Sequence, residues 1–173
     1  LPGDASINDL IIAAVQQALR SHPELNQTFD GEQLTSVENQ PVGVAVATEA
    51  NIVLAPVVQV GADVGLENLA SHSRELITRA RSGQMTASDQ VPAAITVSNL
   101  GMHGVTAFTA MVTPPQIMVL SAGTVRRVPA FNEADEVVAQ SMITLTLGSD
   151  HRVVNGAQAA AFLKAVVAEL ESP

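Results

Sequence analysis

Cysteine, tryptophan and tyrosine are absent from this 173-residue chain, which has four phenylalanines and a single lysine, Lys164. Without cysteine there is no disulfide framework, no thiolate nucleophile and no cysteine-ligated zinc, a composition compatible with a reducing compartment. Without tyrosine or tryptophan, and with only four phenylalanines, aromatic platforms for stacking bases or sugars are not expected. Eight basic residues stand against 17 acidic ones, a net charge of −9. Nucleic acid is therefore not an expected partner, because binding a polyanion needs clustered cations that displace its counterions. No apolar run reaches the roughly 20 residues of a membrane span. The N-terminus also lacks the basic and apolar regions of a signal peptide, so the chain reads as soluble, with no membrane partner.

What is present is a large apolar fraction, 47%, enough for one substantial core and one domain. Ile7, Leu10, Ile11, Ala14, Val15, Ala18 and Leu19 repeat at three- and four-residue steps and predict a helix. Ser6 is its expected N-cap, Asp9 places a carboxylate at the positive end of the dipole, and Pro23 ends it. Residues 42–48 and 52–58, rich in Val, Ile and Leu, predict a hairpin around the turn at 49–51. Leu66, Leu69, Ala70, Leu76, Ile77 and Ala80 predict a second amphipathic helix, with Glu67, Arg74, Glu75, Arg79 and Arg81 on its far face and Gly83 at its end. Strands follow at 94–97, 117–121 and 125–128, with an acidic connection at 132–135 and an alternating strand at 142–148. Phe162, Leu163, Val166, Val167 and Leu170 predict a last helix over 157–171. There is no internal repeat and no interdomain linker. The interleaving points to an α/β or α+β sheet layered with helices.

The segment Ser149-Asp150-His151-Arg152-Val153-Val154-Asn155-Gly156 lies in the connection between that last strand and last helix. There a rigid scaffold holds a side chain while leaving it reachable. A lone loop histidine is ordinarily only solvated, and an asparagine before a helix is ordinarily an N-cap. Asp150 and Arg152 are suited to an ion pair that fixes the corner. Ser98, ending a strand before Asn-Leu-Gly, has its own structural reading as a hydrogen bond to the turn. His103 has the character of a solvated loop residue, although a channel lining is open to it. His22 sits at a helix end and His72 on a mixed helix face. The four histidines lack metal-ligand spacing, so no metal is expected. No Gly-x-Ser-x-Gly elbow surrounds Ser98, and no glycine pattern cradles phosphate. Arg126 and Arg127 are adjacent, suited equally to the phosphates of a nucleotide-bearing substrate and to a solvated strand edge.

The segment 6–23, the Ser98-Asn99-Leu100-Gly101-Met102 turn, the Pro114-Pro115-Gln116 step and the Asp150-His151-Arg152-Val153-Val154-Asn155-Gly156 corner occur in that order. Together they resemble the catalytic domain of the dihydrolipoamide acyltransferases, core components of 2-oxo acid dehydrogenase complexes. The resemblance extends over essentially the whole chain, and the His corner is similar to that of chloramphenicol acetyltransferase as well. It implies an α/β two-layer sandwich with a mixed sheet packed against helices, and one acyltransferase catalytic domain over 1–173. The substrates it implies are coenzyme A and dihydrolipoamide, the latter carried on a separate lipoyl domain. The resemblance makes His151 the base, Ser98 the donor to the oxyanion, and Asn155 an orienting or transition-state hydrogen-bonding residue.

The chemistry suits these residue types. A thiol must lose its proton before attacking a thioester, and imidazole titrates close to working pH. A hydroxyl donated to the oxyanion is worth about 3 kcal/mol in a dry site. Many members of the family carry Asp where this chain has Asn155, although others carry Asn, and a neutral amide orients by hydrogen bonds without stabilising a cation by charge. The resemblance further implies a homotrimer with each active site between subunits, and a lipoyl domain and dehydrogenase components as partners. It implies a cytoplasmic location in a bacterium, or the mitochondrial matrix in a eukaryote. Family proteins also carry a segment before the first helix, a lipoyl domain and a small subunit-binding domain, none of which these 173 residues contain. The acidic 169–171 stretch differs from the apolar tail that links trimers in the family's large cores, so a trimer is expected rather than a cage. Acetyl is the first expectation for the acyl group. Two rivals are an O-acyltransferase of the chloramphenicol acetyltransferase type and a weakly catalytic trimeric scaffold.

Overall fold

The computed structural model describes residues 3–50 and 52–171. Helix α1 (Ile7–Ser21) starts where expected: the Asp9 N–H donates to Ser6 Oγ, and the Ser6 N–H donates to Asp9 Oδ2 at 2.8 Å. This reciprocal cap satisfies two backbone donors that the helix itself cannot, and such caps contribute about 1 kcal/mol. His22 closes the helix and Pro23 opens a short 3-10 turn.

Two three-residue strands, β1 (Gln27–Phe29) and β2 (Leu34–Ser36), then form a small antiparallel pair. Neither is predicted by the sequence pattern. They are too short for a period to register, and β2 is exposed throughout.

The expected hairpin is present but interrupted. Strand β3 (Val42–Val44) pairs with β6 (Val57–Val58), and beyond it β4 (Val46–Ala47) pairs with β5 (Val53–Leu54). The break falls at Pro56, which has no N–H to give the ladder. The Ala45 N–H turns instead to Val97 O, at 2.9 Å. Asn51, at the expected turn, lies outside the described residues.

Helix α2 (Leu66–Arg81) ends as the glycine signal predicts. Gly83 has φ +71, its N–H donates to Ala80 O, and the Gln84 N–H donates to Arg79 O. This closure needs a left-handed residue, which glycine adopts without a Cβ penalty.

Strands β7 (Ile95–Asn99) and β8 (Met118–Ala122) run parallel to each other and to β3. The chain then forms the separate ribbon β9 (Arg126–Phe131) and β10 (Val137–Met142). The acidic connection at 132–135 is its turn, with Asn132 Oδ1 accepting from the Ala134 and Glu136 N–H groups. The single strand expected at 142–148 is thus two. Met142 ends β10, and β11 (Leu145–Ser149) begins a new pairing with β8. One alternating run is divided because the chain changes partner at 143–144, which a periodicity argument does not detect. Helix α3 (Gly156–Glu171) follows.

The main sheet has the order β11-β8-β7-β3-β6, parallel in the middle and antiparallel at both edges. The two-residue period gives it unlike faces. Val42, Val44, Ile95, Val97, Met118, Leu120, Ala122, Leu145 and Leu147 belong to the core shared with the three helices. At the alternate positions, Gly43, Thr96, Ser98, Ser121, Thr146 and Gly148 are small or polar and lie in register across the other face, with Val119 the apolar residue among them. Residues of the 104–116 connection lie on that face: the Ala110 N–H donates to Ser121 Oγ at 3.0 Å, and Thr96 Oγ1 donates to Gln116 Oε1 at 2.7 Å. The expected two-layer α/β sandwich with a mixed sheet is what the chain forms.

Candidate active site

Ser98 is the fourth residue of β7 and stands on the polar face, half-buried, opposite Ser121. The turn after it is held by Asn99, whose Oδ1 accepts the Gly101 N–H at 2.8 Å. The structural role open to Ser98 is therefore filled by its neighbour. The Ser98 hydroxyl has no hydrogen bond among the described residues.

His151 is exposed and lies in the turn that follows β11. Its ring makes no hydrogen bond among the described residues. The backbone around it is firmly tied: the Asp150 N–H donates to Ile117 O at 2.8 Å, and the Val153 and Val154 N–H groups both donate to Asp150 O. Arg152 and Asp150 form the expected ion pair as a two-pronged fork, Nε to Oδ1 at 3.0 Å and Nη2 to Oδ2 at 2.7 Å. Hydrogen bonds from the Arg152 guanidinium and then its backbone N–H hold the Asp150 carboxyl below the usual carboxylate range, and the same fork raises Arg152. The guanidinium also lies over the Phe29 ring, 4.9 Å from its centroid.

Asn155 caps α3. Its Oδ1 accepts the Gln158 N–H, and its own N–H donates to Gln158 Oε1, both at 3.0 Å. The Asn-x-x-Gln spacing that marks this reciprocal cap was available in the sequence. The cap uses Oδ1 and leaves the exposed carboxamide NH2 free of it.

These residues do not meet within one chain. Ser98 is in register with Ser121, whereas Ser149 is opposite Met118 and, through it, Ile95. Three residues of strand and two strand spacings put Ser98 and Ser149 about 14 Å apart, and the chain beyond Ser149 leads to His151. A cavity of about 590 Å³ is lined by Val44, Val46, Ser73, Arg74 and Asn99, and by none of Ser98, His151 and Asn155. Its lining comes from α1, α2, β3, β4 and the segments that follow β7 and β8. His103 is exposed in the 101–103 turn, Arg126 and Arg127 are exposed on β9, and His22 faces Glu24 and the edge of the Phe162 ring. Phe29, on a strand the sequence pattern does not predict, is the residue at this corner that sequence reasoning missed.

A mixed sheet with helices on one face, connected in this order, is the fold of the chloramphenicol acetyltransferase class. A solved chloramphenicol acetyltransferase superposes with a TM-score of 0.58 at 15% identity, over 96% of this chain and 78% of its own. More narrowly, the chain belongs to the 2-oxoacid dehydrogenases acyltransferase (catalytic domain) family, whose model matches residues 2–173. It is 34% identical over 168 residues to the dihydrolipoyllysine-residue acetyltransferase component of the pyruvate dehydrogenase complex of Zymomonas mobilis, covering 97% of this chain and 38% of that protein. It superposes on the dihydrolipoamide acetyltransferase of Azotobacter vinelandii with a TM-score of 0.87 at 30% identity, covering 98% of this chain and 70% of that one. The study of that structure concerns the role of a serine, a histidine and an asparagine in its catalytic mechanism.

Proposed function

We propose that this domain moves an acetyl group between coenzyme A and dihydrolipoamide, as the catalytic core component of a 2-oxo acid dehydrogenase complex. The observation that carries the reading is the pairing of a free hydroxyl, Ser98, on the polar sheet face with a free imidazole, His151, on a braced corner, in a chain of this family. His151 takes the proton from the attacking thiol. The thiolate adds to the thioester carbonyl, and Ser98 donates its O–H to the oxyanion that forms. Collapse expels the second thiolate, which recovers the proton from the imidazolium. Bond making and breaking balance without a covalent enzyme intermediate, and holding both thiols at one point lowers the entropic part of the barrier. The Asn155 NH2, unused by the cap, is the donor that orients the reacting groups beside His151.

Each site is built by two copies of the chain in a homotrimer. The thiol that His151 deprotonates and the oxyanion that Ser98 serves belong to one reacting carbonyl, so both side chains must reach the same point, and the spacing between Ser98 and the Ser149 end of β11 argues against that within a single chain. The β9–β10 ribbon supports this reading. It pairs with no strand of the main sheet, and Phe131 and Val137, directly opposite one another, are 71% and 66% exposed. A lone two-stranded ribbon is marginal in water, and a second copy covers its apolar side chains. The family's preceding segment, lipoyl domain and dehydrogenase partners belong to this reading of 1–173 as the acyltransferase catalytic domain.

The test is acetyl transfer from acetyl-CoA to dihydrolipoamide beside transfer to alcohol acceptors such as chloramphenicol. Transfer to the dithiol is expected. Activity with alcohols alone overturns the reading in favour of an O-acyltransferase, and activity with neither favours a scaffold.

A further inference from the structure

We propose that Phe29 is a positioning residue for His151, acting through the Arg152 guanidinium that its ring carries. The inference rests on the acyl-transfer reading for its catalytic consequence and on geometry for the rest. Among the described residues the His151 ring has no hydrogen bond of its own, so its placement is set by the backbone of the turn and by the two residues beside it. Asp150 is anchored to the start of β8, but Arg152 is not anchored to the sheet. Its side chain is 62% exposed, and an ion pair that open to solvent is weak.

What defines the guanidinium is that it is held on two sides. One edge forks onto both oxygens of Asp150, and one face lies over Phe29. A planar cation with an edge on a carboxylate and a face on a ring has one orientation, which a lysine does not reproduce. Phe29 can serve as the fixed member because it is itself tied down. Its N–H donates to Pro115 O at 2.7 Å, it pairs with Leu34, and its ring packs against the core. The β1–β2 pair thus gives the histidine corner a wall supplied from more than 120 residues earlier in the chain.

Phe29→Leu keeps the apolar bulk and removes the ring face, whereas Phe29→Tyr keeps the ring. Amide hydrogen exchange at Val153 and Val154, whose N–H groups close the turn onto Asp150, reads the order of the corner without any substrate. In Phe29→Leu these two amides are expected to exchange about tenfold faster or more, while Phe29→Tyr stays at the parent rate. In acetyl transfer, Phe29→Leu is expected to lose about tenfold in kcat with KM for acetyl-CoA within about twofold, since displacing a base by about 1 Å is costly. Phe29→Tyr is expected to restore kcat. Arg152→Lys, which leaves the core untouched, is expected to repeat the Leu phenotype with an unchanged Tm.

Parent-like exchange in Phe29→Leu, or equal behaviour of Leu and Tyr, overturns the proposal. A parent with no transfer to dihydrolipoamide overturns the functional reading instead, and the exchange comparison still decides the role of Phe29.

Discussion

Ser98 and His151 stand toward opposite ends of one sheet, with two strand spacings and three residues of strand between Ser98 and the Ser149 end from which His151 follows. The proposed site draws Ser98 and His151 from two chains, and this gives a test by mixing. Ser98→Ala and His151→Ala are each expected to lose at least about 100-fold in kcat, from loss of the oxyanion donor and of the base respectively. If the two variants are unfolded and reassembled together at equal amounts, some sites receive an intact serine from one copy and an intact histidine from the other. Random closure of a symmetric trimer gives about a quarter of the parent activity. A site contained in one chain gives no recovery.

Asn155 caps α3, and substitution separates that role from the orienting role proposed for its NH2. Serine is also a good N-cap, so Asn155→Ser is expected to keep the start of α3 and hold Tm within about 2 °C of the parent, whereas Asn155→Ala loses about 1 kcal/mol of cap. Both remove the carboxamide NH2, and both are expected to lower kcat at least about tenfold. If Asn155→Ser retains full activity, Asn155 is a cap and nothing more. Thermal melts beside single-turnover rates decide it.

The main elements were legible because their signals are local. Ser6 and Asp9 announce α1, Gly83 closes α2, and the apolar steps of α3 from Phe162 to Leu170 repeat over about two and a half turns. The candidate site residues could be named from the sequence as types, but not placed as an arrangement. That Ser98 and His151 are apart follows from the parallel register of β7 and β8 and the antiparallel return of β11, which no stretch of sequence contains. Phe29 was invisible for a related reason. A three-residue strand has no period, and its partner Arg152 lies more than 120 positions away. The division of the 142–148 run was hidden because its alternation is the same whether a strand keeps one partner or changes it.

Asp89 makes acid stability predictable. Its carboxylate, 6% exposed, accepts from Arg79 Nη2 at 2.7 Å and from the Thr86 N–H at 2.9 Å, clasping the end of α2. The Arg79 hydrogen bond, followed by the Thr86 backbone, lowers its pKa from 3.8 to about 2. The folded state therefore holds this proton less readily than the unfolded state. The contribution is full above the unfolded value near 4 and fades as pH falls through about 2. Arg79 is partly exposed, so the contribution is about 1 kcal/mol after solvent screening. Asp89→Asn is expected to lower Tm by a few degrees at pH 7 and to shrink the further drop that the parent shows between pH 4 and pH 2. Calorimetry over that range checks it, and parallel Tm curves for variant and parent refute it.

Gly123 follows β8 at the point where the 104–116 connection folds back over the sheet. A Cβ there would overlap the Thr106 carbonyl oxygen, which is main chain and cannot swing aside as a side chain can. The neighbouring Thr124 N–H already donates to Val105 O at 2.8 Å, so the connection is held against this residue. Gly123→Ala should therefore lift the connection and cost about 1–3 kcal/mol, weakening the cover on the face that carries Ser98. Gly156 is the control. It lies in the first turn of α3 with no neighbour within 4 Å of where a Cβ would be. Gly156→Ala is expected to leave Tm unchanged or raise it, by up to about 1 kcal/mol of stability. Urea unfolding of both variants gives the comparison. Equal midpoints for Gly123→Ala and the parent would mean that the connection is free to move away from the sheet.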